Sequence, residues 1–384
     1  MADERSHRFA ALDGWRGVCA LLVALHHLNV HGHFYAWPLV RNAWLFVDFF
    51  FVLSGFVIAH AYGEILLSGR DVREFVLRRF ARLWPLHVTV LAAFVLLELC
   101  RYATIGAAFT GGRSVFAIFT NLALVQSLGV HNGLTWNTPA WSISTEFYTY
   151  LVFASVCLIA ANRKVRLALA ATIMFGGLAT LVFLSRYGMR ETFNFGFFRC
   201  LYGFSAGMLT YDVWRLLPGK IGGTVMEIAV LAVVGIFVTF APNIRMLEYL
   251  AVSVFAFAIL VFAQQAGAVS RALEGRAASA LGRWSYSIYM LHMFVIACAL
   301  SLLDTFAKHW TSFDASGNET VTLGGVWSGD LFAAAYLAIV IALSAFTYRF
   351  VEKLGQRIFG RGLHGKILAE PLRRVDRALR SRAP

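Results

Sequence analysis

The chain has 384 residues, of which 59% are hydrophobic and only 14% are charged, and its formal net charge is +13. A soluble domain of this size does not need so many separate apolar runs of bilayer-spanning length, so the composition excludes a soluble globular protein. The five cysteines all fall within apolar runs and show no metal-ligand spacing, so we expect neither a disulfide framework nor a bound metal.

Ten apolar runs of the sequence are long enough to cross a bilayer as helices. We therefore predict an all-α integral membrane protein, a bundle of about ten transmembrane helices. A weaker apolar stretch at 115–128 is short and contains Asn121 and Gln126, so we interpret it as interfacial or re-entrant. The predicted spans are 9–30, 42–62, 84–103, 139–161, 165–184, 193–214, 221–241, 247–264, 281–303 and 328–350.

The basic residues lie mostly on one side of this predicted bundle. If the first span starts in the cytoplasm, the inner loops and the C-terminal segment hold most of the 34 lysines and arginines. This positive-inside bias predicts that both termini are cytoplasmic. We therefore attribute the positive net charge to membrane orientation and to contacts with anionic lipids, and we expect no nucleic-acid partner. We divide the chain into a membrane domain, 1–352, and a basic cytoplasmic tail, 353–384.

The first span carries two ionisable residues, Arg16 and His27. Their spacing is close to three full helical turns, so the two side chains share one helix face and lie about 16 Å apart along the axis. A lipid-facing arginine near the middle of a bilayer costs roughly 2.5–3.5 kcal/mol, so two such groups in register favour an interior pathway. The alternative is an Arg16 that reaches the inner surface and an ordinary polar His27 near the outer one.

The inner loop before the third span reads GRDVREFVLRRFARLWP and predicts a helix with one apolar stripe. Pro85 marks a kink into the third span. Glu74 and Arg78 are spaced to pair on the helix surface. Arg79 and Arg82 have no such partner, and their guanidinium forks suit phosphate oxygens. They are therefore predicted to bind an anionic ligand, with lipid phosphates as the alternative.

Further polar residues fall inside later spans. Asp48, Glu146 and Arg199 each lie about 9–11 Å in from the predicted outer end of their spans, and His27 reaches a similar level. Arg16 lies near the inner end, so the pattern fits a pore in which an anionic donor enters from the cytoplasm and reacts higher up. The alternative for Asp48 and Arg199 is an ion pair that only holds the bundle together. The ninth span adds a polar helix face made of Ser285, Tyr286, Tyr289 and His292.

Five motifs, taken in this order along the chain, resemble the membrane acyltransferase-3 family. They are LDGWRG followed by HH, FFFVLSGF, the RRFAR-L-W-P loop, AWSISTEFYTY and LGRWSYSIYMLH. The resemblance covers about residues 9–352. Members of this family are bacterial ten-span proteins that O-acylate cell-surface or secreted carbohydrates, and related members acylate macrolides.

The resemblance implies roles for individual residues. Arg16 and His27 match the Arg-x10-His pair of the family, in which the histidine is essential. Arg79 and Arg82 match its cytoplasmic Arg-x-x-Arg element, which is associated with acyl-coenzyme A. Glu146 matches the glutamate of its WSL-type motif.

The implied reaction is transfer of an acyl group, expected to be acetyl, from acyl-coenzyme A to a carbohydrate hydroxyl. We expect His27 to act as general base on that hydroxyl or to form an acyl-histidine, and Glu146 or Asp48 to orient its imidazole. A thioester is already activated, so the reaction needs no metal.

Two further sets of side chains are expected to hold the substrates. The phosphates of the donor would be bound by Arg79, Arg82 and Arg16. Tyr289 or His292 would polarise the thioester carbonyl. The substrate-binding residues as a whole are predicted to be Arg199, Tyr286, Tyr289 and His292.

Several alternatives stay open at the level of the sequence. A proton-coupled small-molecule transporter would share the polar interior, although it would not need the paired-arginine loop. The acceptor could be a macrolide or a lipid in place of a surface polysaccharide, a lipopolysaccharide or another glycolipid. We expect no hydrolase-like domain after the last span, and the protein would then either acylate its acceptor directly or pass the acyl group to a separate periplasmic esterase-like partner. Leu354 occupies a position that is proline in many members of the family.

We expect a multi-pass protein of the bacterial cytoplasmic (inner) membrane.

Overall fold

The computed structural model describes residues 8–69, 71–105, 109–217, 222–313 and 319–360, and these are mostly helical. Two short strands, β1 (Thr311–Phe313) and β2 (Glu319–Val321), pair antiparallel with Ser312 opposite Thr320. The helices are α1 (Ala10–His27), α2 (His33–Ala36), α3 (Pro38–Arg41), α4 (Phe46–Leu67), α5 (Val72–Ile105), α6 (Val115–Leu122), α7 (Ala140–Ile159), α8 (Arg163–Phe183), α9 (Gly196–Trp214), α10 (Thr224–Phe240), α11 (Arg245–Glu248), α12 (Ala251–Phe262), α13 (Ala268–Leu273), α14 (Arg276–Phe306), α15 (Val326–Thr347) and α16 (Lys353–Gly360).

Each of the ten predicted spans coincides with a helix. Within the described residues, eight helices are long and apolar enough to cross a membrane, which confirms an all-α multi-pass membrane protein. The two remaining predicted spans are α1 and α9, whose apolar character is diluted by charged residues such as Arg16 and Arg199. Most of α9 is buried, and a helix surrounded by other helices does not need a lipid-compatible surface. The count of ten crossings and the cytoplasmic termini remain predictions.

Two boundaries differ from those predicted, those of α5 and α15, whereas the helix in the stretch at 115–128 is short, as expected. The inner loop helix and the third span form one continuous helix, α5, which runs through Pro85 without ending. The weak stretch at 115–128 contains only the eight-residue helix α6, about 12 Å long and too short to span. At the other end of the chain, α15 continues through a π-helical turn, Tyr348–Glu352, into α16. Residues 361–384 of the predicted tail lie outside the described residues.

Close backbone contacts at glycines join the helices that carry the polar residues. A Cβ on Gly55 would overlap the carbonyl of Phe204, and one on Gly207 would overlap the carbonyl of Val52, so α4 and α9 touch along their backbones. Small residues at such crossings let membrane helices approach closely. The glycine of the FFFVLSGF motif is therefore required for packing.

Close backbone contacts at glycines also join α1 to α14. A Cβ on Gly282 would overlap the carbonyl of Asp13, and one on Gly17 would meet the backbone of Leu281. These contacts bring the helix of Arg16 and His27 against the polar face of the predicted ninth span.

The outer ends of α1 and α15 are tied together by the segment that follows α14. Val321 of β2 exchanges backbone hydrogen bonds with residues that follow α1, since its N–H donates to Asn29 and its carbonyl accepts from His31. The His33 side chain bonds Asp330 at 2.6 Å. These contacts fix the segment between α1 and α4, which forms part of one wall of the site.

Candidate active site

The polar residues of the bundle line two cavities that share a wall. An inner cavity of about 170 Å³ lies on the predicted cytoplasmic side and is lined by Arg16, Arg79 and Arg82. An outer cavity of about 800 Å³ is lined by His27, among others. Val47 and Tyr289 line both cavities. The structure therefore separates the predicted donor-binding arginines from the predicted base by a thin layer of side chains.

Arg79 stands in the inner cavity without a carboxylate partner among the described residues. One Nη donates to the Tyr62 hydroxyl at 3.3 Å, and the guanidinium lies over the rings of Tyr62 and Tyr150, at 5.3 and 5.9 Å from their centroids. Its Nε is buried and has no hydrogen-bond partner. The nearest acid to Arg16 is Asp13, at 3.7 Å. Arg79 is therefore available to an anion that enters the cavity, and Arg16 keeps only this long ion pair with Asp13.

Arg82 differs from Arg79 because it has an acidic partner. Its Nη1 donates to Glu352, whose other oxygen accepts a 2.6 Å hydrogen bond from Ser287. Glu352 is only 1% exposed and is delivered by the π-helical turn at the end of α15. Sequence reasoning missed this residue because it is 270 positions away from Arg82. The sequence did offer one sign of this role, because an acid at the end of an apolar span needs a partner.

The predicted surface pair of Glu74 and Arg78 is confirmed, at 2.5 Å.

Glu146 lines the inner cavity and does not contact the imidazole. Its Oε1 accepts hydrogen bonds from the hydroxyls of Ser54 and Tyr150, both at 2.6 Å. The prediction that Glu146 orients His27 therefore differs from the observed contacts. The prediction used the distance of Glu146 from the outer end of its span. That distance does not show from which face of α7 the side chain projects.

His27 is oriented by the helix that carries it. Its Nδ1 lies 2.9 Å from the Val23 carbonyl, so Nδ1 carries the ring hydrogen and Nε2 keeps its lone pair. The rings of His26 and His292 each lie 4.9 Å from the His27 ring, centroid to centroid. In its neutral form this imidazole presents the Nε2 lone pair at a cavity wall and is suited to accept a proton.

His292 lies behind His27 and is not among the residues that line either cavity. It is fully buried, and its Nδ1 bonds the Tyr289 carbonyl at 2.6 Å. The prediction that His292 polarises a thioester carbonyl is thus at odds with its position, because packed side chains separate it from the cavities. Its Nε2 is buried and has no hydrogen-bond partner in the described part of the chain.

Asp48 and Arg199 form the predicted ion pair. Arg199 donates to both carboxylate oxygens of Asp48, at 2.8 and 2.7 Å, and to the Glu191 carbonyl at 3.3 Å. The two side chains are 0% and 2% exposed. Asp48 therefore does not orient His27, because both of its oxygens serve Arg199. The Arg199 guanidinium lies over Trp44 and Trp141, 5.4 Å from each ring centroid, and so positions two aromatic rings at the wall of the outer cavity.

The two predicted tyrosines of α14 have different surroundings. Tyr286 lines the inner cavity, donates to the Leu83 carbonyl at 2.6 Å and supports Arg82, which lies 5.6 Å from its ring centroid. Tyr289 bonds the Ser142 hydroxyl at 2.8 Å. Because Tyr289 lines both cavities, it is placed to meet whatever passes between them.

The protein is a bundle of apolar helices with two adjacent cavities, one lined by arginines and the other by His27. Such an interior is typical of a membrane enzyme. The sequence profile of an acyltransferase domain, acyltransferase-3, matches residues 9–349. The chain therefore belongs to the membrane acyltransferase-3 family and is an acyltransferase. No solved structure gives a significant match.

Three curated relatives were found at the level of sequence. Acyltransferase MdmB of Streptomyces mycarofaciens is 28% identical, over 92% of this chain and 93% of its own length. Protein 2 in picA locus of Rhizobium radiobacter is 34% identical, over 45% of this chain and 94% of its own. Peptidoglycan O-acetyltransferase OatA of Listeria monocytogenes is 22% identical, over 89% of this chain and 55% of its own. The chain thus spans about half the length of OatA.

Replacement of Arg82 by Ala is expected to destabilise the fold. The variant would leave Glu352 buried without its cation, at a cost of about 3–5 kcal/mol in the free energy of unfolding. Thermal unfolding in detergent, followed by tryptophan fluorescence, measures the effect. Arg79→Ala is the matched control, because no described carboxylate loses a partner. The double variant Arg82→Ala/Glu352→Gln should recover most of the lost stability; a double variant no more stable than Arg82→Ala would contradict the pairing.

Proposed function

We propose that the protein transfers an acyl group, acetyl in the simplest case, from cytoplasmic acyl-coenzyme A to a hydroxyl of a cell-surface or exported carbohydrate. The site of action would be the bacterial inner membrane. One observation carries the proposal: a cavity with three arginines and a cavity with His27 meet at the side chains of Val47 and Tyr289. Similarity to OatA, a peptidoglycan O-acetyltransferase, supports a carbohydrate acceptor.

The inner cavity is suited to the donor. Its volume of about 170 Å³ is too small for a nucleotide and fits a thin extended arm such as pantetheine. The nucleotide would then remain at the cytoplasmic mouth. Arg79, which has no carboxylate partner among the described residues, and Arg16, whose ion pair with Asp13 is long at 3.7 Å, would bind donor phosphates. Arg82, held by Glu352, would add a third cation of fixed orientation.

His27 would supply the base for the transfer. Its Nε2 takes the proton of the acceptor hydroxyl as the oxygen attacks the thioester carbonyl carbon, and the carbon–sulfur bond breaks. The coenzyme A thiolate leaves and takes up the proton. In a second route Nε2 attacks the thioester carbonyl carbon first, the carbon–sulfur bond breaks and the coenzyme A thiolate leaves. The sugar hydroxyl then takes the acyl group from the imidazole and gives its proton to the thiolate. In both routes the Val23 carbonyl keeps the required tautomer.

The division of the chain is part of the proposal. Residues 1–352 would form the acyltransferase domain and 353–384 a basic cytoplasmic tail, whose described part is α16. A separate periplasmic esterase-like protein is a possible recipient of the acyl group, and acylation without such a partner is the simpler case.

Arg79→Ala is expected to weaken acyl-coenzyme A binding by about 1.5–3 kcal/mol, the range of a hydrogen bond to a charged group. Arg79→Lys should recover only part of this loss, because an ammonium group lacks the bidentate fork. Isothermal titration calorimetry with acetyl-coenzyme A measures the dissociation constant. The neighbouring Arg78, which pairs with Glu74 and does not line the cavity, provides the control Arg78→Ala. Equal losses in both alanine variants would contradict a phosphate-binding role.

His27→Ala is expected to abolish acyl transfer while donor binding and the amount of folded protein stay near normal. The reason is that this variant removes the base from the outer cavity and leaves the arginines of the inner cavity intact. His26→Ala, on the next position of the same helix, should reduce transfer much less. Transfer is measured with radiolabelled acetyl-coenzyme A, and donor binding by calorimetry. Similar activities in the two variants would remove His27 from the role of base.

Donor and acceptor are expected to react from opposite faces of the membrane. Inverted membrane vesicles, with the cytoplasmic face outward, are loaded with surface polysaccharide from a strain that lacks the gene and then receive acetyl-coenzyme A outside. Mass spectrometry of the enclosed polysaccharide should show acetylation. Modification only when both substrates are outside would contradict the relay and favour a cytoplasmic small-molecule acceptor.

A further inference from the structure

The wall of the outer cavity carries cations and no acid. Arg41, Arg190 and Arg199 line it, and neither Asp nor Glu is among its lining residues in the described part of the chain. The acids that pair with two of these arginines lie behind the wall, since Asp48 and Glu248 are 0% and 2% exposed. The charged lining residues that a ligand meets in this cavity are therefore all basic, in the part of the chain that the structure describes.

The three arginines differ in how much of their charge is available. Arg199 is committed to Asp48 and Glu191, whereas Arg190 bonds Glu248 through Nε and one Nη and remains half exposed. Arg41 is exposed at the end of α3, and its side chain makes no ion pair or hydrogen bond with any residue that the structure describes. Arg41 thus contributes an uncompensated positive charge.

Such a charge is unusual on this side of the membrane. The positive-inside bias keeps most basic residues in the cytoplasm, and several of the other outer arginines are occupied. Arg113 pairs with Glu98 at 2.7 Å, and Arg245 donates to a backbone carbonyl at 2.7 Å. Arg41 is therefore not explained by topology or by internal pairing.

Beside these cations lies a rigid aromatic wall. Two guanidinium groups lie close to the Trp44 ring, Arg190 at 5.2 Å and Arg199 at 5.4 Å from its centroid, and Arg199 lies 5.4 Å from the centroid of Trp141. Stacking fixes the rings, and amphipathic rings in a wet cavity give a flat surface for the apolar face of a sugar. Asn42 donates its amide to Thr239, which leaves its carbonyl oxygen available as an acceptor.

We propose that the acceptor is an anionic carbohydrate, whose carboxylate or phosphate group binds Arg41 with Arg190 as the second cation. Its sugar ring lies against Trp44 and presents a hydroxyl to His27, which lines the same cavity. This assignment rests on the proposed function and adds the class of acceptor to it. A planar guanidinium recognises either acidic group through two parallel hydrogen bonds.

Binding is tested without any acyl donor, on the full-length protein in nanodiscs of zwitterionic phosphatidylcholine. The probes are trigalacturonic acid with its trimethyl ester, and glucose 1-phosphate with glucose. Calorimetry should show at least one acidic probe binding about tenfold or more tightly than its neutral counterpart. The preference should disappear at about 0.5 M salt, because the interaction is between exposed charges.

Two variants separate the site from general surface charge. Arg41→Gln should remove the preference for the acidic probe, whereas Arg186→Gln, which changes an exposed outer arginine outside the cavity, should retain it. Equal affinity within both probe pairs, no binding of either acid at about 10 mM, or the same loss in both variants would overturn the proposal. A second set of nanodiscs contains phosphatidylglycerol. If the acids show no preference and phosphatidylglycerol binds in an Arg41-dependent way, the cavity is a lipid site and the proposal is wrong.

A failure of acid-selective binding can be told apart from a failure of the proposed acyl transfer. Because no acyl-coenzyme A is present, acid-selective binding can be found even if the protein transfers nothing across the membrane. Conversely, a protein that acetylates a neutral glycan in the vesicle experiment would retain the proposed function and lose only this acceptor class.

Discussion

A guanidinium group inside an apolar bundle costs several kcal/mol unless a carboxylate, an aromatic ring or a bound anion compensates its charge. The protein satisfies this constraint for Arg199 with Asp48 and for Arg82 with Glu352, and each acid comes from a different part of the chain. The first pair holds α4 against α9, where glycines already bring the two backbones together. The second holds the π-helical turn after α15 against α5. The helices that line the cavities are therefore fixed in rotation by charges that they cannot leave unpaired.

The same constraint identifies the arginines that are left for ligands. Arg79 has tyrosine rings and one hydroxyl but no described carboxylate, and Arg41 has no described side-chain partner. Both side chains lie on a cavity wall, one on each predicted side of the membrane. Arg79 and Arg41 are therefore the arginines most available to ligands, whereas Arg82 and Arg199 also hold helices together through their buried acids.

The packing of α1 against α14 connects the two cavities. Arg16 faces the inner cavity and His27 the outer one, about three turns further along the same helix. Tyr289 of α14 lines both and is held by Ser142, and its carbonyl accepts the bond that orients His292 behind His27. A group that moves from one cavity to the other passes a single layer of side chains. A thioester arm and an acceptor hydroxyl could meet there without either substrate crossing the bilayer.

The sequence by itself determined the class of fold and the helices on which the polar residues lie. Hydropathy and the 3.6-residue period are local properties, so the apolar runs, the shared face of Arg16 and His27, and the paired arginines of α5 could be predicted from neighbours in the chain. Five short motifs, which are also local, were sufficient to suggest the family.

Only the tertiary structure decided which groups meet. Depth along a predicted span placed Glu146 level with His27, but the side chain turns toward Ser54 and Tyr150, because a position along a helix leaves its rotation undefined. The partner of Arg82 is 270 residues away, and the group that orients His27 is a backbone carbonyl, which no residue type reveals. Pairing between distant side chains depends on the rotation and approach of whole helices, and those are set by glycine contacts and buried charges acting together.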